Sequence, residues 1–248
     1  MTRRYLLEIA VSTPEEAVVA VREGADRLEL SSGLEVGGLT PSIGLFCAVR
    51  ACVTVPVWAL LRPRAGGFVY TQSEFDVMRA DAAAFLAEGA NGVVFAVLTP
   101  DGHIDHSSCR ILMDAANGKA VFHRAFDFLP HPIEALDELI DFGFERVLTS
   151  GGAATAEAGT DCLAALIQHA GRQIEVLPAG TVRPRNVGEL VRATRCDQVH
   201  AAPRVPVADP LLAAHPRLAA GMGVPTELSA HLVRELRREL DRAAESLS

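Results

Sequence analysis

The chain has 248 residues, of which 49% are hydrophobic and 22% charged, so it can bury a large core. Its formal net charge of −8, without an aromatic-rich basic patch to offset it, argues against a nucleic-acid partner. No apolar run reaches the ~20 residues that span a bilayer, and the five cysteines form no C-x-x-C pair, so we predict a cytoplasmic protein with reduced thiols and no membrane partner.

Short apolar segments typical of β-strands alternate with amphipathic segments typical of helices. The predicted strands are 5–11, 27–30, 55–61, 92–98, 120–124, 146–149, 174–177 and 198–201. The predicted helices between them are 14–23, 42–52, 73–88, 107–116, 132–142, 161–170 and 184–194. Such alternation indicates parallel strands joined by right-handed crossovers, and eight units in about 250 residues predict a single (β/α)8 TIM barrel.

An open doubly wound sheet is the alternative α/β fold. It would carry a Gly-x-Gly-x-x-Gly turn after the first strand, where this chain reads Ala-Val-Ser-Thr-Pro at 10–14, so the barrel is favoured. No linker or change of composition divides the chain, and we predict one domain over 1–248. Within it, the proline-rich stretch 202–226 is predicted to be irregular, and the amphipathic pattern of 227–246 predicts the final helix.

Two glutamates interrupt apolar strands. Glu8 lies within Leu-Glu-Ile and Glu29 within Leu-Glu-Leu. A carboxylate inside a barrel costs several kcal/mol unless it is paired, so cationic partners must be near. The candidate partners are Arg62, Arg64, Arg124, His123 and His200. A buried structural ion-pair network and a ligand site both fit this pattern.

The stretch 119–127, Lys-Ala-Val-Phe-His-Arg-Ala-Phe-Asp, begins as a strand and ends in reactive side chains. His123, Arg124 and Asp127 follow the apolar run, and Pro130 prevents the strand from continuing. The working residues of a TIM barrel lie at the carboxyl ends of its strands. The predicted catalytic residues are therefore Glu8, Glu29, His123, Asp127 and His200.

The loop after the third strand combines two fixed cations, Arg62 and Arg64, with Gly66 and Gly67. Guanidinium groups bind carboxylate or phosphate through paired hydrogen bonds, and glycine lets the backbone approach a ligand closely. Glycine-containing loops also follow the sixth and seventh strands, and the loops after strands seven and eight form the usual phosphate site of TIM barrels. The predicted ligand-binding residues are Arg62, Arg64, Arg124, Ser150, Gly151, Gly180, Thr181 and Arg183.

A second type of site is suggested by His103, His106 and Cys109, which lie three residues apart. If a helix starts at Ser107, His106 and Cys109 can face the same side, and imidazole with thiolate suits zinc or copper. The alternative is a polar loop with a serine that caps the helix.

Several longer stretches resemble the CutC-type copper homeostasis proteins. They are Gly-Ala-Asp-Arg-Leu-Glu-Leu at 24–30, Gly-Gly-Leu-Thr-Pro-Ser at 37–42, Arg-Pro-Arg-Ala-Gly-Gly-Phe-Val-Tyr at 62–70, His-Arg-Ala-Phe-Asp at 123–127, Leu-Thr-Ser-Gly-Gly at 148–152 and Val-His at 199–200. The resemblance extends over about 6–204. It implies a cytoplasmic TIM barrel that is often a homo-oligomer, a dimer or higher, and is linked to copper tolerance.

This chain departs from the pattern at the positions most relevant to copper. The family often carries a cysteine at the end of each of its first two strands, taken as copper(I) ligands, but the matching residues here are Ala10 and Ser31. Neither supplies a thiolate, the ligand that copper(I) prefers. Ala96 and Thr181 also stand where the family usually has glycine.

Three functional hypotheses follow. The first is a copper-handling protein that binds the ion through other residues. The second is a lyase or isomerase for an anionic or phosphorylated metabolite, in which arginines bind the anion and Glu8 or Glu29 exchanges a proton together with His123. The third is a non-catalytic binding scaffold. The partner is thus a copper ion or a small anionic molecule.

Overall fold

The computed structural model describes residues 4–246, and its central feature is a parallel sheet. In this part of the chain the sheet contains β1 (Leu6–Val11), β2 (Arg27–Leu30), β3 (Val57–Leu60), β4 (Gly92–Phe95), β5 (Ala120–Phe122), β6 (Arg146–Thr149), β7 (Glu175–Pro178) and β8 (Gln198–Ala201). The strand order is β7-β6-β5-β4-β3-β2-β1-β8. Because β7 and β8 also contact each other, the sheet curls into a nearly closed barrel, which confirms the predicted fold.

Helices connect the strands and cover the barrel. They are α1 (Pro14–Arg22), α2 (Ile43–Cys52), α3 (Gln72–Ala87), α4 (His106–Ala115), α5 (Pro132–Phe142), α6 (Thr160–Ala170) and α7 (Pro184–Thr194). Several start where a side chain accepts a hydrogen bond from a free backbone N–H group, as Thr13, Ser42, Thr71 and Asp105 do. None of the described helices is both long and apolar enough to cross a bilayer.

The stretch 202–226, expected to be irregular, contains ordered elements. They are β9 (Arg204–Pro206), α8 (Pro210–Ala214), α9 (Pro216–Ala219) and the start of β10 (Thr226–Leu228), which pairs antiparallel with β9. The final helix, α10 (Ala230–Glu245), therefore begins three residues later than predicted, after the Ser229 cap. The Arg204 guanidinium anchors the hairpin by pairing with Glu16 at 2.7 Å.

The interior of the barrel has an apolar half and a polar half. The apolar half is a cluster of inward-facing residues, namely Trp58, Leu60, Val94, Val121, Leu148, Leu177 and Ala179. Their neighbours along each strand belong to the larger core between strands and helices, as the alternation of side chains in a barrel requires. Polar side chains inside the barrel come mainly from β1, β2 and β8, namely Glu8, Arg27, Glu29, Gln198 and His200, and they lie next to the candidate site.

Candidate functional site

Glu8 lies at the centre of a buried polar network inside the barrel. Its carboxylate pairs with the Arg27 guanidinium on β2 and lies 2.7 Å from His200 Nδ1 on β8. Arg27 also donates to Gln198 Oε1 at 2.8 Å. Burial opposes the charge of Glu8, but Arg27 and the hydrogen bond with His200 outweigh it, so the pKa of Glu8 lies well below its usual range. Glu8 is thus an ionised member of a structural network.

Glu29 has similar surroundings but a different electrostatic state. Its Oε2 atom is buried and has no hydrogen-bond partner within 4–246. One carboxylate oxygen each of Glu8 and Glu29 and one ring nitrogen of His200 lie within 4.8 Å of one another. Burial raises the pKa of Glu29 to about 7, and the positive charge of His200 offsets this only in part because the negative charge of Glu8 raises the pKa further. Near neutral pH, Glu29 can therefore both take up and release a proton.

His200 completes this group from β8. Burial favours its neutral ring, but the carboxylates of Glu29 and Glu8 outweigh burial and raise its pKa. Its side chain is 11% exposed and lines the cavity at the barrel mouth. His200 therefore links the buried Glu8 to the cavity.

His123 follows β5 and presents a neutral ring to the cavity. Its Nδ1 accepts a hydrogen bond from the Ala125 N–H group at 3.1 Å, so the ring proton lies on Nε2. Nε2 is buried without a partner in the described part of the chain. Burial and the neighbouring Arg62 charge lower the pKa of His123 to about 3. A ring with this pKa does not take up a proton near neutral pH, so the structure does not support the proton exchange predicted for His123.

Arg62 mainly holds two loops together. One terminal nitrogen donates to the carbonyls of Val36 and Gly38 at 2.9 and 2.8 Å, and the other donates to Gly66 at 2.7 Å. Its Nε is buried and has no partner among residues 4–246. The guanidinium also lies over the Phe68 ring, which packs against His123 with a centroid distance of 4.9 Å. Arg62 therefore shapes the cavity wall by holding these loops in place.

Asp127 orients Arg124 and does not reach the cavity. It accepts hydrogen bonds from Thr149 Oγ1 at 2.6 Å and from the backbone N–H groups of Ser150 and Gly152 at 2.9 and 3.1 Å. Arg124 Nε donates to it at 2.8 Å, and another Arg124 nitrogen lies 2.9 Å from Ser150 Oγ. The predicted catalytic role of Asp127 is thus corrected to that of a positioning group.

These side chains surround a cavity of about 430 Å³ at the carboxyl ends of the strands. The predicted residues that line it are Glu29, Arg62, His123, Arg124, Gly180, Thr181, Arg183 and His200. The predicted residues that do not line it are Glu8, Arg64, Asp127, Ser150 and Gly151. Sequence reasoning missed the apolar part of the wall, of which Phe68 and Phe128 are the aromatic members, although Phe68 lies within the conspicuous stretch 62–70.

Two predicted ligand-binding residues serve their own loops instead. Arg64 pairs with Glu74 at 2.5 Å and donates to the Val69 carbonyl at 2.7 Å. The Gly151 N–H group donates to Thr149 Oγ1 at 2.9 Å. By contrast, Thr181 lines the cavity and has a left-handed backbone, φ 57°, which a β-branched residue rarely adopts.

His103, His106 and Cys109 do not converge on a common point. His106 pairs with Glu138 at 2.7 Å, and His103 lies in the turn before α4. The Cys109 thiol is buried, and burial raises its pKa to about 12, which opposes the thiolate that a metal needs. Within 4–246, the group that brings three metal-ligating side chains together is Glu8, Glu29 and His200. The expected metal site is corrected accordingly, because residue spacing did not fix the directions of the side chains.

Comparison with known proteins identifies similar chains. A family model described as CutC family matches residues 5–205. A "family protein CutC" from Treponema denticola is 44% identical over 78% of this chain and 79% of that protein. A "copper homeostasis protein cutC homolog" from Homo sapiens is 43% identical over 81% of this chain and 74% of that protein. The crystal structure of a putative copper homeostasis protein CutC from Streptococcus agalactiae is 28% identical, covers 79% of this chain and 97% of that chain, and has a TM-score of 0.76.

Proposed function

This chain belongs to the CutC family, and we propose that it binds a small organic anion at the mouth of its barrel. The observation that carries this proposal is that three residues lining one cavity each hold a buried polar atom that has no partner within 4–246. These atoms are Glu29 Oε2, Arg62 Nε and His123 Nε2. An unsatisfied buried polar group costs about 1–3 kcal/mol, and a ligand with matching oxygen atoms offsets that cost.

The charge of the cavity wall supports an anionic ligand. Three arginines, Arg62, Arg124 and Arg183, line the cavity. The one carboxylate among its described lining residues is Glu29, whose pKa near 7 leaves it partly neutral. A wall with excess positive charge attracts carboxylate or phosphate groups, and the cavity volume suits a small metabolite.

Removal of His123 is expected to weaken ligand binding about tenfold or more, because its hydrogen bond to an ionised ligand is lost. The parent, His123→Ala and the matched control His131→Ala can be screened by thermal shift against dihydroxyacetone phosphate, ribulose 5-phosphate, 2-phosphoglycolate and pyruvate. Binding constants are then measured by calorimetry. His131 is exposed and does not line the cavity, so its replacement should leave affinity unchanged.

Two results would contradict this proposal. If no probe stabilises the parent protein, the barrel mouth is not a site for organic anions. If His123→Ala binds as tightly as the parent, the ligand lies elsewhere. Arg62→Ala is a poorer test than His123→Ala, because Arg62 holds three loop carbonyls and its loss would also loosen the cavity wall.

Metal handling is a second candidate, favoured by the convergence of Glu8, Glu29 and His200 and by the copper homeostasis names of the relatives. These nitrogen and oxygen donors suit divalent ions and not copper(I), which prefers thiolate or thioether sulfur. Ala10 and Ser31 occupy the positions where a thiolate would be needed. Glu8 is moreover paired with Arg27, so the residues present do not fit copper(I).

Titration with copper(I) under reducing conditions is expected to reveal no tight stoichiometric binding, and Cys109→Ser should not change the result. A calorimetric measurement in the presence of a competing chelator checks this expectation. Tight binding that Cys109→Ser abolishes would show that the buried thiol is a ligand after all. Tight copper(II) binding that Glu29→Gln abolishes would instead favour the metal candidate over the organic anion.

A cytoplasmic location is proposed on the basis of the cysteines. All five are free thiols, as expected for a protein kept in a reducing compartment. Cys47 and Cys52 lie five residues apart on α2, and the other three belong to different parts of the fold.

A further inference from the structure

Phe128 is an exposed aromatic ring at the mouth of the cavity. It ends the 3-10 helix Arg124–Phe128 that follows β5, and 71% of its surface is exposed. Single exposed apolar side chains are common on proteins and need no explanation by themselves. Among the exposed large apolar side chains of the described residues, however, Phe128 is the one aromatic ring and the one that lines the cavity. Its ring is therefore available to a molecule that occupies this cavity.

Phe128 belongs to a row of three rings. The Phe68 ring packs edge-on against Phe128 with a centroid distance of 5.7 Å, and it packs against His123 at 4.9 Å. The Arg62 guanidinium lies 5.4 Å from the centre of the Phe68 ring and helps to fix it. All three rings line the cavity, and together they form what we call the aromatic row. Aromatic rings gain energy from edge-on and offset packing beyond the area they bury, so a flat ring bound in the cavity can extend this row.

Positive charge is fixed on the same short helix as Phe128. Arg124 begins this helix, and it also lines the cavity. Its guanidinium donates to Asp127 at 2.8 Å and to Ser150 Oγ at 2.9 Å. A Cβ atom on Gly180 would lie 3.3 Å from Arg124 Cζ, so the missing side chain leaves room for the guanidinium. A planar, permanently charged guanidinium suits phosphate or carboxylate, and Arg124 is positioned before such a group arrives.

Much of the remaining cavity wall is apolar. Leu34, Leu60, Leu148 and Val182 are among its lining residues. A ligand body with many hydroxyl groups would lose hydrogen bonds to water against such side chains, whereas a flat apolar ring has none to lose. The wall therefore favours a ligand that combines an apolar body with one charged end.

Resting on the proposed ligand site, we propose that the anion bound at the barrel mouth carries an aromatic ring that packs against Phe128 and extends the aromatic row. Its phosphate or carboxylate group pairs with Arg124. Phe128 is then a specificity-determining residue, because it distinguishes a flat aromatic body from an aliphatic one of the same size. The exposed surface of Phe128 in the free protein is the contact area that such a ligand covers.

Two matched pairs of probes test this proposal. They are phenyl phosphate with cyclohexyl phosphate, and phenylacetate with cyclohexylacetate. The members of a pair carry the same charged group on a six-membered ring, and they differ in whether that ring is flat and aromatic. In calorimetric titrations of at least one pair, the parent protein should bind the aromatic member about fivefold more tightly than the cyclohexyl member.

Phe128→Leu keeps an apolar side chain but removes the ring. This variant should bind the cyclohexyl probe within about threefold of the parent, and its affinities for the two members of the pair should agree within about twofold. Because Phe128 is largely exposed, its replacement leaves the core intact. Val77→Ala is the matched control. Val77 is also exposed and apolar, but it lies in α3 and does not line the cavity, so this variant should keep the preference of the parent.

Two kinds of result would overturn the assignment of an aromatic ligand while the ligand site stands. The first is a parent protein that binds both members of each pair equally, or that binds one of the four metabolites above but no aromatic probe. The second is an aromatic preference that Phe128→Leu retains, which would place the ring elsewhere. If neither the four metabolites nor these probes bind, the proposed function fails and the aromatic assignment fails with it.

Discussion

Replacement of Arg27 by methionine is expected to lower the free energy of unfolding by about 3–5 kcal/mol. Arg27 is buried in the barrel, where it pairs with Glu8 and donates to Gln198. Methionine fills much of the same volume but leaves the Glu8 charge in a medium of low polarity with His200 as its remaining close partner. Urea unfolding followed by the fluorescence of Trp58, the single tryptophan, measures the change.

Two further variants make this test specific to the ion pair. Arg238→Met removes an exposed partner of Glu235 on α10 and should barely change stability. The double variant Glu8→Gln, Arg27→Met removes both charges and should recover part of the loss, because breaking a buried pair is worse than replacing it. If Arg27→Met unfolds at the same urea concentration as the parent, the ion pair between Arg27 and Glu8 does not stabilise the barrel.

Replacement of Gly159 by alanine is expected to cost about 3 kcal/mol or more and to weaken ligand binding. A Cβ atom at this position would lie 1.8 Å from the Ser150 carbonyl oxygen, and no side-chain rotation can relieve a clash with backbone. The displaced loop also carries Ser150 Oγ, which holds Arg124 at the cavity. Urea unfolding and calorimetry with the best probe measure the two effects.

Gly188→Ala is the matched control for this substitution. Gly188 lies in α7, and the nearest atom to its new Cβ would be a nitrogen of the flexible Arg192 side chain at 3.5 Å. Alanine inside a helix restricts the unfolded chain more than glycine does, so stability should rise by about 0.5–1 kcal/mol. Equal stability of Gly159→Ala and the parent would contradict the close approach of the loop after β6 to the start of α6.

Strong local signals predicted the barrel elements well. The bounds of 27–30, 132–142 and 184–194 agree with β2, α5 and α7, since apolar periodicity and terminal proline or glycine signals coincide there. The strand predicted over 92–98 ends at Phe95 instead. Ala96, Val97 and Leu98 are as buried as the strand, but Leu98 pairs with the Phe68 loop and not with a neighbouring strand. Hydrophobicity reports burial and not hydrogen bonding, so the sequence could not locate this end.

Local spacing was a poor guide to metal ligands. His103, His106 and Cys109 are close in sequence, yet His106 points to α5 and Cys109 into the core behind Val97. Side-chain direction depends on where α4 starts and on what packs against it. The group of Glu8, Glu29 and His200 comes instead from β1, β2 and β8. β1 pairs with β2, the next strand in sequence, and closure of the barrel brings β8 beside β1.

The sequence by itself determined the fold, because strand alternation is a local pattern, and the polar residues that follow the strands predicted which end of the barrel carries the candidate site. It could not distinguish Glu8 from Glu29, which occupy nearly the same local pattern. Only the tertiary structure decided that Arg27 and His200 engage Glu8, while Glu29 keeps an unpartnered oxygen. The physical reason is that the state of a buried carboxylate is set by groups within a few ångströms in space, and one of these, His200, is 192 residues from Glu8 along the chain.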